Sequence, residues 1–322
     1  MRPIHGLLAL ASLIAASWMP SAGAQDYSAR PVTIVVPFAP GATTDTLGRI
    51  AADVLQRDLK TSFIVENRTG AGGVIGNAAV ARSTADNPML LFTPTAFAIL
   101  PQVYKNLPYD SHRDFKPVTL MGYMAYVMVV SPKLDVKTVK DFIALAKSGT
   151  RHMTYASPGT GTPAQLAVEA FAAQAGIKLQ HVPYRGTSPA LIDVMSGEVT
   201  MMFADLGPAV PLIQSGQLKV LGVLTPERHA SLPGVPAVSE TIPGFSVVGW
   251  QGLLAPAWMP DADVNKLNAS LVAYLKTPEA AERFKQMGVD VKWTTPKEFA
   301  DWITAQLSWW GKVAKDAGIE PQ

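Results

Sequence analysis

The fold of this chain is organised around Val32-Thr33-Ile34-Val35-Val36-Pro37-Phe38-Ala39-Pro40-Gly41-Ala42-Thr43-Thr44-Asp45. The first five residues form a short β-branched run that is typical of a buried parallel strand. Apolar residues then recur at helical spacing from Leu47 to Leu55, which predicts a helix beginning near Thr44. A strand, a Pro/Gly turn and a helix N-terminus capped by hydroxyls predict an anion site, because the first helical amides lack partners inside the helix.

Similar strand-to-helix turns, rich in glycine, proline and hydroxyl residues, recur at 93–97, 157–162, 186–189 and 205–208. In the strongest of them Thr162 is a predicted N-cap, Pro163 suits the first helical position and Gln165 completes a capping box. Ligands of open parallel sheets lie outside the carboxyl ends of the strands, where such turns collect. Some turns precede the apolar run at 126–130 and others follow it, so we expect two α/β domains with a cleft between them.

Composition narrows the class of protein. The chain has 322 residues, of which 48% are hydrophobic and 16% charged, as in globular proteins with well-buried cores. A net charge of +2 gives no indication of nucleic acid or an anionic membrane surface as a partner. The absence of cysteine excludes disulfides, thiol catalysis and cysteine metal ligands.

Residues 1–24 have the pattern of a secretory signal peptide. Arg2 gives a short positive start, an apolar segment follows, and Ala22-Gly23-Ala24 is a small-residue cleavage site. The apolar segment is short for a bilayer span, which disfavours the alternative of an N-terminal membrane anchor. We therefore expect export to the periplasm with cleavage after Ala24.

Motifs of common enzyme classes are missing from the sequence. Gly70 and Gly72 do not continue into a dinucleotide fingerprint, because Ile75 stands where the third glycine is required. No Gly-x-Ser-x-Gly, Walker or His-Glu-x-x-His motif occurs, and the last helix carries tryptophans that we interpret as packing residues. The histidines that follow the leader are interpreted as surface or loop residues and predict no metal site, cofactor or triad: His112, His152, His181 and His229. An enzyme stays formally open, since triads are recognised by geometry.

Several short sequence motifs are spread over nearly the whole mature chain, and their order and spacing are informative. They are Val35-Val36-Pro37-Phe38, Pro40-Gly41, Thr44-Asp45, Val65-Glu66-Asn67-Arg68, Gly70-Ala71-Gly72-Gly73, Leu107-Pro108-Tyr109-Asp110, Asp114-Phe115, Pro117-Val118-Thr119, Tyr155-Ala156-Ser157, Val182-Pro183-Tyr184, Leu232-Pro233, Val235-Pro236 and Leu253-Leu254-Ala255-Pro256. Each piece alone is a weak signal. In this order and spacing they resemble the periplasmic solute-binding receptors of tripartite tricarboxylate transporters, the Bug family.

The resemblance implies a two-domain periplasmic-binding-protein fold of type II, with two α/β lobes around a ligand cleft joined by two crossover strands. We expect lobe 1 at 25–125 plus 248–322 and lobe 2 at 126–247. The implied ligand is a small organic acid, namely a di- or tricarboxylate, an aromatic acid or an acidic amino acid. A monomeric receptor without a cofactor would deliver it to membrane permease subunits, and no nucleic acid is involved.

The turns and the resemblance together give the candidate ligand-binding residues. They are Phe38, Gly41, Thr43, Thr44, Asp45, Thr95, Ser157, Gly159, Thr160, Gly161, Thr162, Tyr184, Gly186 and Asp205. Asp45 has a second interpretation, as an acid that interacts with the helix dipole. By the resemblance, Asp205 lies near the far end of the ligand, where it would meet an amine, a hydroxyl or a protonated acid.

The chain departs from the family pattern at three positions, and the first two departures, at the pocket wall, leave the ligand open. Ala42 replaces one of two adjacent glycines, Gln165 stands where a histidine is frequent, and Arg185 replaces the more frequent lysine. Two other classes of protein also stay open. One is an exported enzyme acting on a small carboxylic acid in the same cleft, and the other is a scaffold that binds no small molecule.

Overall fold

A computed structural model describes residues 30–159, 162–184, 186–316, 318 and 321. The predicted signal peptide and its cleavage site lie outside these residues. The strands are β1 Val32–Val36, β2 Phe63–Asn67, β3 Met89–Pro94, β4 Phe115–Val130, β5 Thr154–Ser157, β6 Gln180–Pro183, β7 Met201–Asp205, β8 Lys219–Val223, β9 Val248–Pro256 and β10 Asp290–Val291. The helices are α1 Thr43–Leu59, α2 Val74–Ala81, α3 Ala96–Val103, α4 Val139–Ser148, α5 Pro163–Ala175, α6 Thr187–Ser196, α7 Leu206–Gln214, α8 Asp261–Leu275, α9 Pro278–Gln286 and α10 Pro296–Asp316.

The strands form one mixed sheet in the order β2-β1-β3-β9-β4-β7-β5-β6, with β8 and β10 also paired to β4. Strand β1 lies between β2 and β3, and all three are parallel. Strands β5, β6 and β7 form a second parallel group. Strand β9 is antiparallel to β3 and β4, and β7 is antiparallel to β4. The predicted α/β class with parallel strand-helix units is confirmed.

The sequence predicts separate strands at 117–121 and 126–130, but the structure has one long strand, β4, which joins the two parallel groups. Its residues 115–125 pair with β9, and its residues 126–130 pair with β7 and β8. Pro117 does not end the strand, because the register shifts around it and the strand continues. The boundaries of two lobes at 125/126 and 247/248 stay a prediction.

The sequence also predicts Thr138 and Thr295 as helix N-caps, and the structure confirms both. Thr138 and Asp141 form a reciprocal capping box at the start of α4, and Thr295 and Glu298 do the same at α10. At α5 the backbone amide of Gln165 donates to the Thr162 hydroxyl, but the Gln165 side chain hydrogen-bonds the Tyr155 hydroxyl. The predicted capping box places the Gln165 side chain on the Thr162 backbone, whereas the structure places it on Tyr155 of β5.

Three groups of buried side chains fill the spaces between the sheet and its helices. One lies beneath α1 and α8, one beneath α6 and α7, and the largest runs from α3 and α10 to α5. Trp310 of α10 is buried, and Trp302 packs its ring against Tyr123, so these tryptophans pack as predicted. Within the described residues, no helix is both long and apolar enough to cross a bilayer.

Candidate functional site

The strand register brings the predicted turns to two facing sheet edges. The carboxyl end of β3, at Pro94, is level with Gly122 of β4 through their common partner Gln251. The carboxyl end of β7, at Asp205, is level with Tyr126 of β4 and points the opposite way. Four residues of an extended strand therefore separate the two edges, or about 13 Å. We call this space, bounded by the turns after β1, β3, β5 and β7, the cleft.

The turn at 37–45 places an open helix N-terminus at one side of the cleft. The N-cap residue of α1 is Ala42, and no side chain caps this 17-residue helix. The expected hydroxyl cap is therefore wrong, because Thr43 and Thr44 already lie in the first helical turn. The first three amides of α1 have no acceptor inside the helix, and the helix dipole adds positive potential there. The open amides fit an anion better than a capped terminus would.

Asp45 holds this turn in shape. Its buried carboxylate accepts hydrogen bonds from the Gly41 amide at 2.9 Å, the Asn67 amide group at 2.8 Å and Arg49 Nε at 3.1 Å. Asn67 also donates to the Phe38 carbonyl at 2.9 Å, which links both ends of the turn to one acid. Burial opposes ionisation, but these donors outweigh it and lower the Asp45 pKa. The bonds favour a positioning role, and direct ligand contact by Asp45 stays a prediction.

The turn that follows β5, here called the second turn, lies at the opposite side of the cleft. It is held by hydroxyl groups that bond to the backbone of the same turn. Ser157 Oγ donates to the Gly159 carbonyl at 2.9 Å, and Thr162 Oγ1 donates to the same oxygen at 2.8 Å. Ser157 is fully buried and Thr162 is partly exposed. Both predicted hydroxyls thus use their protons inside the turn. Thr160 and Gly161, also predicted, lie outside the described residues, as does Arg185.

His181 is not a surface or loop residue, which corrects the sequence interpretation. It lies in β6, its Nε2 is 2.6 Å from Ser157 Oγ, and its ring stacks on Tyr155. Ser157 also accepts the Gly159 amide, so its remaining acceptor site requires a proton on His181 Nε2. Burial lowers the His181 pKa, against the attraction of Glu169, whose carboxylate accepts the Tyr155 hydroxyl. His181 therefore supports the second turn from beneath.

The other predicted residues differ in how far they can reach a ligand. The Thr95 hydroxyl is 2% exposed and accepts the Trp250 amide, so it fastens β3 to β9. The Tyr184 hydroxyl donates to Asp193, and burial together with that carboxylate raises its pKa to about 12. Gly186 has φ +118 and donates to the Pro158 carbonyl, which ties its turn to the second one. These contacts position the turns.

Asp205 is the acid at the far side of the cleft. It is the N-cap residue of α7, yet its side chain does not cap that helix. The carboxylate instead accepts a hydrogen bond from Thr187 Oγ1 at 3.0 Å, at the start of α6. Burial raises the Asp205 pKa, and the Thr187 bond offsets this only partly. A carboxylate in this position favours a ligand group that donates a hydrogen bond.

The sequence found the turns but missed the side chains that shape them. Arg49, Asn67, Thr187 and His181 were not predicted, and each bonds a residue far away in sequence. For Asn67 a signal did exist, since it lies in the family piece Val65-Glu66-Asn67-Arg68. Among the described residues, no group of three or more His, Asp or Glu side chains is arranged to hold a metal ion.

Comparisons with known proteins agree with this geometry. Residues 47–319 match the model of the tripartite tricarboxylate transporter family receptor. A UPF0065 protein from a tcbD-tcbE intergenic region of Pseudomonas sp. is 34% identical, over 89% of this chain and 86% of the relative. Protein BugT of Bordetella pertussis is 31% identical over 92% of each chain.

Solved structures of related proteins support the same family and give its fold. Rpa4515 of R. palustris with adipate is 31% identical, covers 92% of this chain and 100% of that one, and has a TM-score of 0.77. Periplasmic binding protein BugD is 31% identical, covers 91% and 99%, and has a TM-score of 0.73. MatC of Rhodopseudomonas palustris with bound malate is 28% identical, covers 88% and 98%, and has a TM-score of 0.71. The expected periplasmic-binding-protein fold is confirmed.

Proposed function

The chain belongs to the receptor family of tripartite tricarboxylate transporters, and on that premise we propose that it binds a small organic acid in the cleft. The protein is a solute-binding receptor, as its family is. The observation that supports a carboxylate ligand is the uncapped N-terminus of α1, which lies at one side of a cleft whose two sheet edges are about 13 Å apart. Relatives with bound adipate and malate support the same class of ligand.

The donors at the cleft are sufficient for one carboxylate. A buried anion without a paired cation is costly unless several hydrogen bonds satisfy it. The open amides of α1 supply up to three, and the amide of Ala164 in α5 adds one because its helix begins with Pro163. The Gly41 amide is taken by Asp45 and is not part of this set. We propose that the acid's carboxylate is held mainly by backbone.

We further propose that the protein is not an enzyme. Among the described residues, Ser157 and His181 form the pair near the cleft that suggests nucleophilic catalysis. Ser157 is fully buried, donates to Gly159 and accepts from the Gly159 amide and His181, so its hydroxyl is used completely. A nucleophile needs an accessible oxygen with a free lone pair. The arrangement supports a structural pair, and the alternative of an exported enzyme loses its best candidate.

The remaining parts of the proposal follow the family. We propose that residues 1–24 are removed after Ala24, that the mature protein is periplasmic and monomeric, and that it passes its ligand to membrane permease subunits. We also propose that residues 25–125 plus 248–322 and residues 126–247 act as two lobes. The change of partners along β4 at 125/126 supports that division.

A thermal-shift screen tests the proposed function. The purified mature protein, refolded once from denaturant to remove carried-over ligand, is heated with di- and tricarboxylates, hydroxy acids, aromatic acids and acidic amino acids. At about 100 times Kd a ligand adds about 2.7 kcal/mol to the free energy of unfolding. For a protein of this size that corresponds to a rise in Tm of roughly 5–10 °C.

Two outcomes would contradict the proposal. A screen in which no acid raises Tm, while refolded and untreated protein share one circular dichroism spectrum, removes the receptor hypothesis and favours the scaffold. Chemical conversion of a stabilising acid during incubation, followed by NMR, favours the enzyme. The expected result is a rise in Tm with at least one acid and unchanged NMR signals.

A further inference from the structure

The floor of the cleft is formed by β4 and β9 between the two turns. Met124 and Tyr126 lie two residues apart on β4 and so project to the same side of the strand. Met124 packs on the group of side chains beneath α1, whereas Tyr126 belongs to the group around α5. These are the two helices whose N-terminal turns bound the cleft. This side of β4 therefore lies under the space where a ligand would sit.

Gly249 of β9 lets the Tyr126 hydroxyl lie across this floor. Gly249 is the register partner of Met124. A Cβ added at Gly249 would lie 3.2 Å from Tyr126 Oη and 3.1 Å from Met124 Cβ. These distances are shorter than ordinary van der Waals contact between such atoms. The glycine thus leaves the room that the tyrosine hydroxyl occupies.

The Tyr126 hydroxyl is a free donor beside an acid. Tyr126 is the register partner of Asp205, so both side chains are on the same face of the sheet. The residue is 7% exposed, and within the described part of the chain its Oη has no hydrogen-bond partner. Burial and the nearby Asp205 carboxylate both raise the Tyr126 pKa. The phenol is therefore protonated at neutral pH.

We propose that Tyr126 determines specificity by donating a hydrogen bond from its hydroxyl to a hydroxyl group of the bound acid, beside Asp205. This inference rests on the proposed function and names its ligand class, hydroxycarboxylic acids. An alcohol accepts from Tyr126 and donates to Asp205 at the same time. An ammonium group has no lone pair for Tyr126, and an ionised carboxylate of the ligand has no proton to donate to Asp205.

Matched acids that differ by one hydroxyl test the inference by calorimetry. The pairs are malate with succinate and 3-hydroxybutyrate with butyrate. We expect wild type to bind the hydroxy acid of at least one pair about 10-fold more tightly than its partner. Tyr126→Phe removes one oxygen and should clearly reduce this preference by weakening only the hydroxy acid, which keeps its bond to Asp205.

Two further variants sharpen the test. Tyr123→Phe is the matched control, because Tyr123 lies on the other side of β4 with its ring against Trp302, and we expect unchanged affinity. Gly249→Ala should reproduce the loss seen with Tyr126→Phe, and the double variant should bind no more weakly than either single one. If Gly249→Ala does not fold, as judged by circular dichroism, Tyr126→Phe with its control carries the test.

The failures of the two proposals are distinguishable. If wild type binds no acid of the screen, the receptor proposal falls and this inference falls with it. If wild type binds acids but does not favour either hydroxy acid, or if Tyr126→Phe keeps the preference, the receptor proposal stands and the role of Tyr126 is wrong. An equal loss of affinity in Tyr123→Phe would also overturn the inference, since the effect would then not be specific to the side of β4 that faces the cleft.

Discussion

At the scale of single residues, the cleft depends on acids that act in opposite ways. Asp45 is buried with donors from three other residues, so its charge stabilises the fold. Asp205 is only partly exposed and has one hydroxyl donor, so desolvation makes its charge unfavourable. An aspartate thus stabilises the turn at Asp45, whereas the aspartate at 205 is left to accept a hydrogen bond from a ligand. Two substitutions separate these roles.

Asp45→Asn should lower the free energy of unfolding by about 1–2 kcal/mol at neutral pH, since bonds to a charged acceptor are lost. Solvent weakens the Arg49 pair, because the Arg49 side chain is half exposed. Urea unfolding measures the change. The exposed Asp53 on the same helix gives the matched control, Asp53→Asn, for which we expect almost no change.

The pH dependence of this difference has a definite sign. The Asp45 pKa in the folded protein is below its ordinary value of 3.8. The stabilisation is therefore complete above pH 3.8 and is lost as the pH falls through the lowered pKa. Wild type and Asp45→Asn should converge in strong acid. A difference that is constant across this range would contradict the assigned role of the charge.

Asp205→Asn should do the reverse and raise the free energy of unfolding by about 1 kcal/mol at neutral pH. The amide oxygen still accepts the Thr187 hydroxyl, while the desolvated charge is removed. Because the folded pKa of Asp205 is raised, the advantage should be largest above that pKa and should vanish as the pH falls toward 3.8. Affinity for the bound acid should fall. Thr187→Val, which removes the one side-chain donor that Asp205 has among the described residues, should instead destabilise the fold.

At the scale of elements, sequence patterns predicted most strands and helices but not how the turns are fastened. Helical spacing from Leu47 and the capping residues Thr138 and Thr295 gave the correct elements, because those signals are local. The support of Ser157 by His181 joins residues 24 positions apart, and that of Phe38 by Asn67 joins residues 29 apart. No local pattern encodes such pairs. They follow from which strands become neighbours.

The caps of α5 and α4 give a matched pair of substitutions. Thr162→Val and Thr138→Val each remove an N-cap hydroxyl, and each should lower the free energy of unfolding by about 1 kcal/mol. Only Thr162 also bonds the Gly159 carbonyl of the cleft turn. We therefore expect Thr162→Val alone to weaken acid binding in titration calorimetry. Equal affinities in both variants would show that Thr162 is only a helix cap.

At the scale of the whole molecule, the alternation of strands and helices predicted two parallel groups, and the structure adds how they are joined. The apolar run at 126–130 lies on the part of β4 that pairs with β7 and β8, and its role as a crossing between lobes stays a prediction. Sequence patterns did not reveal that this run and the predicted strand at 117–121 belong to one strand, since Pro117 and Gly122 are usually strand breakers. Both are accommodated by register shifts against β9. The two sheet edges face each other because of these register shifts and because β9 and β7 pair antiparallel to β4. Hydrophobic periodicity in the sequence reveals neither feature.

Strand β9 lies between β3 and β4 and so connects the two parallel groups. A substitution at Gly252 tests how much this connection contributes to stability. Gly252 pairs with β3 and β4, and α10 packs directly over it. A Cβ there would lie 2.3 Å from Phe299 Cζ and 3.0 Å from the Thr119 carbonyl. Gly252→Ala must therefore displace α10 or the strand, and we expect the free energy of unfolding to fall by about 1–3 kcal/mol. Gly234→Ala is the control, because a Cβ at Gly234 meets no atom within 4 Å. Urea unfolding should leave Gly234→Ala close to wild type, whereas equal stability of the two variants would mean that α10 does not clamp the crossing strand.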